Sequence, residues 1–264
     1  MPAAKRDQVQ LHYKLSGRAS GDLLVLSNSI GSSTRMWDKV LPAFEEQYRV
    51  LRYDTRGHGA SSVPVPPYTL DQLGHDILFL LDQVGAARAH FCGLSLGGMV
   101  GQWLAINAPE RLGRMILANT AARIGTQQLW EQRIATVRES GMGPLAEATL
   151  TRWFTAEYRA HHPDEMAIMR QMIASTDPTG YAACCGVLRD TDLGDAIAAF
   201  NEPCLVIAGK HDPATPPCDG QALAAALTRA EYLELDASHM SAWEQADAFA
   251  QATLSFLSGG PTHG

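Results

Sequence analysis

The chain has 264 residues, of which 46% are hydrophobic and 19% are charged, and its formal net charge at pH 7 is −7. This composition predicts one folded domain, or a core domain with an insertion, rather than a disordered chain. The negative charge disfavours nucleic acid or an anionic membrane as the main partner, because both attract basic surfaces. The sequence shows no membrane-spanning run and no signal-peptide pattern, and its five cysteines lack metal-ligand spacing. We therefore expect a cytoplasmic protein with free thiols.

Apolar runs and helix-like patterns alternate along the first half of the chain and again near its end. The apolar runs predict strands at 9–15, 23–27, 48–53, 89–93, 115–118, 204–208 and 231–235. Periodic patterns between them predict helices at 36–46, 70–84, 99–107, 220–227 and 240–257. This alternation is typical of an α/β fold with a mainly parallel sheet that is covered by helices on both faces.

Residues 121–199 interrupt the alternation, since they show helical periodicity without a convincing strand. We predict that they form a helical cap, inserted into a core made of residues 1–120 and 200–264. Active sites of open α/β sheets lie at the carboxyl ends of the strands. A cap at that edge would exclude water and shape a pocket.

The segment from His90 to Val100 contains the pattern Gly93-x-Ser95-x-Gly97, between an apolar run and a helix-like run. This context predicts a nucleophile elbow, in which a strand turns sharply into a helix and presents a serine at the tip. The bare pattern is also compatible with a simple Gly/Ser loop. A catalytic serine needs a base, and the base needs an orienting acid, in the chain order Ser, Asp or Glu, His.

Candidates for both partners follow in that order. Asp212 comes just after the predicted strand at 204–208 and a glycine, although an Asp before Pro is also common in ordinary turns. His239 lies between the last predicted strand and the last predicted helix, and we predict that it is the base. The chain has nine histidines. Of the others, His58 follows a strand in a loop that we interpret as structural.

An oxyanion hole requires two backbone donors near the nucleophile. One is predicted to be the N–H of Leu96, the residue after the serine. The loop after the strand at 23–27 should supply the second donor, which makes the Ile30 N–H the candidate. In the same loop, Ser33 or Thr34 could also act as a helix N-cap.

With these residues in place, the chain resembles α/β-hydrolase-fold enzymes over nearly its whole length, and more narrowly the 3-oxoadipate enol-lactonases of the bacterial β-ketoadipate pathway. The matching segments are Ser27-Asn28-Ser29-Ile30-Gly31, Met36-Trp37-Asp38, Arg52-Tyr53-Asp54-Thr55-Arg56-Gly57-His58-Gly59, Asn119-Thr120-Ala121-Ala122-Arg123-Ile124-Gly125 and Gly180-Tyr181-Ala182-Ala183-Cys184-Cys185. The last two segments lie at and inside the insertion, which differs among families of this fold.

The resemblance implies an anionic small-molecule lactone as substrate, Ser95 as nucleophile, and neither a metal nor an organic cofactor. The substrate carries a free carboxylate outside its ring, which should meet a cation or a strong donor. Trp130 and Arg133 are the first candidates, because i, i+3 spacing places both on one helix face. Trp153 and Arg35 are further candidates, although arginines on helices are usually solvated and tryptophans are usually core residues.

Three alternatives remain open at this point. Other carboxylesterases, C–C bond hydrolases and cofactor-free perhydrolases of this fold use the same triad. Epoxide hydrolases and haloalkane dehalogenases use an aspartate nucleophile, and Ser95 disfavours them. A ligand-binding receptor on a hydrolase scaffold would not need an intact Ser, Asp and His set.

Overall fold

A computed structural model describes residues 3–6 and 8–259; the ends of the predicted core ranges, 1–2 and 260–264, lie outside the described residues. One sheet of eight strands forms the centre of the molecule, in the order β1-β2-β4-β3-β5-β6-β7-β8. The strands are β1 (Ala3–Arg6), β2 (Val9–Gly17), β3 (Leu23–Ser27), β4 (Arg49–Tyr53), β5 (Ala89–Leu94), β6 (Leu112–Ala118), β7 (Cys204–Gly209) and β8 (Ala230–Leu235).

The sheet is parallel from β4 to β8, whereas β1 and β2 pair antiparallel at one edge. Every residue of β3 and of β7 is buried, which agrees with their continuous apolar sequences. The β3–β5 register pairs Ser27 with Gly93, so the loops that follow these two strands leave the sheet side by side. The predicted α/β fold class with a mainly parallel sheet is thereby confirmed.

Helices cover both faces of the sheet. Those outside the stretch between β6 and β7 are α1 (Leu41–Glu45), α2 (Leu70–Gln83), α3 (Leu96–Asn107), α9 (Pro217–Ala226), α10 (Ser241–Glu244) and α11 (Ala246–Leu257). Five helices lie between β6 and β7, namely α4 (Gln127–Ser140), α5 (Gly143–Trp153), α6 (Ala156–His161), α7 (Pro163–Ala174) and α8 (Pro178–Asp190). Within the described part of the chain, no helix combines the length and apolarity that crossing a bilayer requires.

Two predicted helices are divided in the structure. In place of one helix at 36–46, a 3₁₀ turn at Thr34–Trp37 is followed by α1. Pro42 explains the break, because its ring would clash with the preceding turn, and proline is accommodated where a helix begins. The predicted helix at 240–257 is divided into α10 and α11 at Gln245, whose backbone is not helical (φ −122°, ψ 50°).

Helices α2 and α3 pack closely because one of them presents a glycine at their contact. A Cβ built on Gly74 of α2 would overlap the indole ring of Trp103 of α3. The Trp103 side chain is buried and also contacts His75. Its ring therefore has little freedom to move away from a larger residue at position 74.

We expect Gly74→Ala to lower the free energy of unfolding by about 1–3 kcal/mol, because added volume in a packed interior forces strain. Gly186 in α8 is a matched control, since no heavy atom lies within 4 Å of a Cβ built there. Gly186→Ala should raise stability by about 0.5–1 kcal/mol through helix propensity. Urea unfolding measures both changes, and equal effects of the two substitutions would contradict the packing explanation.

Candidate active site

Ser95 occupies the tip of a sharp turn between β5 and α3. Its φ of 59° and ψ of −117° lie outside the usual regions for a residue with a side chain, which is the strain expected of a nucleophile elbow. The turn is possible because its neighbours lack side chains. A Cβ on Gly93 would overlap the Gly97 carbonyl, and a Cβ on Gly97 would overlap the Ser27 carbonyl.

Hydrogen bonds from the next strand hold the elbow in place. The Ser95 N–H donates to the Ala118 carbonyl (3.0 Å), and the Thr120 hydroxyl donates to the Ser95 carbonyl (2.8 Å). Ser95 itself is 3% exposed. The Leu96 N–H belongs to the first turn of α3, where N–H groups have no intrahelical acceptor. It is therefore available to a ligand, and the positive end of the helix dipole lies beside it.

The predicted oxyanion loop follows β3 and is fixed by side chains from three directions. The Asn28 amide donates to the Tyr53 carbonyl (2.7 Å), and the Trp37 indole donates to the Asn28 side-chain oxygen (2.8 Å). The Gly31 N–H donates to Nε2 of His58 (2.9 Å). Because β3 and β5 are adjacent, this loop and its residue Ile30 follow Ser27 at the edge of the sheet where Ser95 lies.

His58 is buried and neutral. Burial lowers its pKa to about 4, although a hydrogen bond with the Arg56 carbonyl and the nearby Asp54 oppose the shift. A neutral ring can accept the Gly31 N–H, whereas a protonated ring could not. His58 therefore holds the oxyanion loop, which agrees with its interpretation as a structural residue.

Asp212 and His239 form a direct, buried hydrogen bond. His239 Nδ1 lies 2.7 Å from Asp212 Oδ2, and each residue is 3% exposed. The other Asp212 oxygen accepts the N–H groups of Ala214 (2.8 Å) and Thr215 (3.1 Å), and the Thr215 hydroxyl donates to Oδ2 (2.7 Å). Burial alone would raise the pKa of Asp212, but the charge of His239 and these hydrogen bonds outweigh it, and the pKa is lowered. The acid is thus ionised at neutral pH and can orient the imidazole.

Asn119 bonds both Asp212 and the residue before His239, a role that its place in the sequence does not predict. Its side-chain amide donates to Asp212 Oδ2 (3.0 Å) and to the Ser238 carbonyl (3.2 Å), while its oxygen accepts the Ser241 hydroxyl. Asn119 follows β6 and has a positive φ of 44°. A polar residue that tolerates this conformation, directly after a strand, is the signal that could have drawn attention to it.

The helical segment between β6 and β7 is bonded to the loop that carries His239. The Ser238 hydroxyl donates to the Arg152 carbonyl (2.8 Å), and the Met240 N–H donates to the Trp153 carbonyl (2.9 Å). Glu244 joins the same two segments, because its carboxylate accepts the Ser238 N–H (2.9 Å) together with the N–H and hydroxyl of Thr155. The residues on both sides of His239 are therefore held by this helical segment.

The four candidate substrate contacts have different environments. Trp130 and Trp153 are buried, and the Trp130 indole N–H is used by the Ile124 carbonyl (2.6 Å). The Arg133 guanidinium carbon lies 4.7 Å from the centre of the Trp130 ring. Arg35 differs from these three, because its side chain is 52% exposed and pairs with Asp38 (3.7 Å).

Among the described residues, no three His, Cys, Asp or Glu side chains lie close enough together to form a candidate metal site. The chemistry that this geometry supports on its own is nucleophilic attack by a serine whose base is held by a buried carboxylate.

Comparisons with known proteins agree with the fold. The family described as alpha/beta hydrolase fold matches residues 22–246, and the chain belongs to that family. Within it, the chain belongs with the 3-oxoadipate enol-lactonases. It is 44% identical to 3-oxoadipate enol-lactonase 2 of Acinetobacter baylyi, over 92% of this chain and 91% of that protein. It is 36% identical to 3-oxoadipate enol-lactonase 1 of the same organism, over 94% and 92% of the two chains.

A solved structure gives the same result. The crystal structure of the enol-lactonase from Burkholderia xenovorans superposes with a TM-score of 0.96 at 44% sequence identity. The match covers 97% of this chain and 100% of that chain. The resemblance inferred from the sequence segments is thereby confirmed.

We expect Asn119→Gly and Asn119→Ala each to reduce kcat/KM by roughly 10–100-fold, because both remove a hydrogen bond to a buried carboxylate. Glycine adopts positive φ freely, whereas alanine adds about 1–2 kcal/mol of backbone strain. Ester hydrolysis and chemical unfolding, measured on both variants, separate the two effects. A loss of activity in the alanine variant alone would mean that backbone strain, and not the amide, is responsible.

Proposed function

We propose that this chain hydrolyses 3-oxoadipate enol-lactone to 3-oxoadipate through a serine acyl-enzyme, in the catabolism of aromatic compounds. One observation carries the chemistry, namely the buried 2.7 Å contact between His239 and Asp212, two residues that follow Ser95 in the chain order of this fold. The substrate is inferred from the enol-lactonases to which the chain is 44% and 36% identical.

In the first step, Ser95 attacks the carbonyl carbon of the lactone ring. His239 Nδ1 is engaged by Asp212, which leaves Nε2 to take the serine proton. A negative charge develops on the former carbonyl oxygen, and we assign the N–H groups of Ile30 and Leu96 to its stabilisation. His58 contributes indirectly, because it fixes Gly31 beside Ile30.

Collapse of the tetrahedral intermediate breaks the bond between the acyl carbon and the ring oxygen. The leaving group is an enol oxygen, which is a better leaving group than an ordinary alkoxide and stays attached to the acyl chain as the ring opens. His239 returns the serine proton to it, and the enol then tautomerises to a ketone. His239 then activates a water molecule that cleaves the acyl-enzyme and regenerates Ser95. Protein side chains and backbone donors supply each of these steps.

We assign residues 121–199 to a cap that covers this site. Within the cap, Trp130 and Trp153 supply apolar surface for the lactone, and Arg133 supplies positive charge. Arg35 is left outside the proposed site because its side chain is half exposed and pairs with Asp38. The proposed partner is a small anionic lactone, and the proposed location is the cytoplasm.

The decisive assay compares 3-oxoadipate enol-lactone, followed by the loss of its ultraviolet absorbance, with p-nitrophenyl acetate. We expect much higher kcat/KM for the lactone. Poor turnover of the lactone with efficient turnover of the aryl ester would make the chain a general esterase, and binding without any turnover would make it a receptor.

We expect Ser95→Ala to abolish turnover while the protein still folds and binds product, since only the nucleophile is removed. Asp212→Asn should lower kcat by roughly 10⁴-fold, because it favours the wrong imidazole tautomer. Steady-state kinetics and circular dichroism of both variants test these expectations. Substantial activity in Ser95→Ala would show that another residue is the nucleophile.

A further inference from the structure

Two arginines of the cap approach one another from different helices. Arg133 comes from α4 and lies over the Trp130 ring at 4.7 Å. Arg152 comes from the end of α5, is half-buried, and donates through Nη2 to the Thr149 hydroxyl (3.0 Å). Burial raises the pKa of Tyr181 in α8, and the positive charges of both Arg133 and Arg152 oppose that shift, so both guanidinium groups lie within electrostatic range of its phenol.

Neither arginine has an acidic partner. Among the side chains that the structure describes, which leave out that of residue 195, no Asp or Glu forms an ion pair within 4.0 Å with Arg133 or Arg152. Burial, and then repulsion by Arg133, lower the pKa of Arg152 to about 10. Two partly desolvated cations without a counter-ion destabilise a protein, and a bound anion would remove that cost.

This pair lies at the wall of the active site. The Tyr181 ring packs on the oxyanion loop, since a Cβ built on Gly31 would lie 3.0 Å from Tyr181 Cε2. The carbonyl of Arg152 accepts the hydroxyl of Ser238, the residue before the catalytic His239. The main chain of Arg152 is therefore bonded to the loop that carries His239. Both arginines lie within electrostatic range of Tyr181, whose ring contacts the loop after β3.

We propose that Arg152 and Arg133 jointly bind the carboxylate that the substrate carries outside its ring. This assignment rests on the proposed function, and it adds Arg152 as a residue that determines specificity for anionic substrates. A guanidinium group can hold a carboxylate through two parallel N–H bonds, and two such groups can hold both oxygens. The carboxylate then positions the ring between the cap and Ser95.

The first test compares two lactones that differ only in the carboxylate. The substrates are 3-oxoadipate enol-lactone and α-angelica lactone, which has a methyl group in place of the carboxymethyl group. We expect Arg152→Gln and Arg133→Gln each to lower kcat/KM for the anionic lactone by about 10–100-fold, the value of a hydrogen bond to a charged group. For the neutral lactone we expect a change of less than threefold. Arg152→Lys, which keeps the charge, should recover part of the loss.

Arg138 provides a matched control, because it lies on the same helix as Arg133 and its side chain is exposed. Arg138→Gln should leave kcat/KM for both lactones unchanged. Equal losses for the anionic and neutral lactones in Arg152→Gln and Arg133→Gln would overturn the proposal, because a purely structural role of the arginines affects both substrates alike.

A second test does not depend on lactone turnover. Adipate should inhibit the hydrolysis of p-nitrophenyl acetate competitively, and its inhibition constant should rise at least tenfold in Arg152→Gln and in Arg133→Gln but not in Arg138→Gln. A wild-type protein that resists adipate would overturn the carboxylate site. A wild-type protein that is inhibited by adipate but does not cleave the enol-lactone would overturn the proposed function and leave the carboxylate site standing.

Discussion

The structure depends most on the close approach of three backbones around Ser95. The ends of β3 and β5 and the start of α3 meet where Gly93 and Gly97 leave no space for a Cβ. That contact forces the positive φ of Ser95 and raises its hydroxyl above the end of the sheet. A looser turn would let the serine relax into an ordinary conformation, and the helix N-terminus would no longer face the reacting carbonyl.

The remaining parts of the site are arranged around that fixed point by buried polar contacts. Asp212 receives hydrogen bonds from the backbone of its own turn and from Asn119, the residue that follows the neighbouring strand β6. His58 accepts the Gly31 N–H and so holds the loop after β3. Because each of these groups is buried, the loss of any partner would leave an unsatisfied charge or donor, and this penalty keeps the geometry in one arrangement.

Local patterns in the sequence were sufficient to predict seven of the eight described strands and the sharp turn at Ser95, because the buried parallel strands have continuous apolar runs and the turn has its glycines. The predicted pairing of Asp212 with His239 corresponds to a 2.7 Å contact in the structure. Edge strand β1 escaped prediction, since the Lys and Arg in Ala3–Arg6 interrupt any apolar pattern. The supporting roles of Asn119 and Glu244 escaped prediction for another reason. Asn119 contacts residues 93 and 119 positions away, and Glu244 contacts a residue 89 positions away. Periodicity carries no information about contacts at such separations.

The hydrogen bonds between the proposed cap and the loop of His239 limit how this enzyme can change. Ser238, Met240 and Glu244 are bonded to residues 152–155, so this part of the proposed cap positions the proposed base as well as the pocket. An exchange of the whole insertion for that of another hydrolase would therefore displace the proposed base along with the pocket walls. Substrate range is more easily changed by single substitutions in α4, which has no such bond to residues 238–244 among the described contacts, than by transplantation of the insertion as a unit.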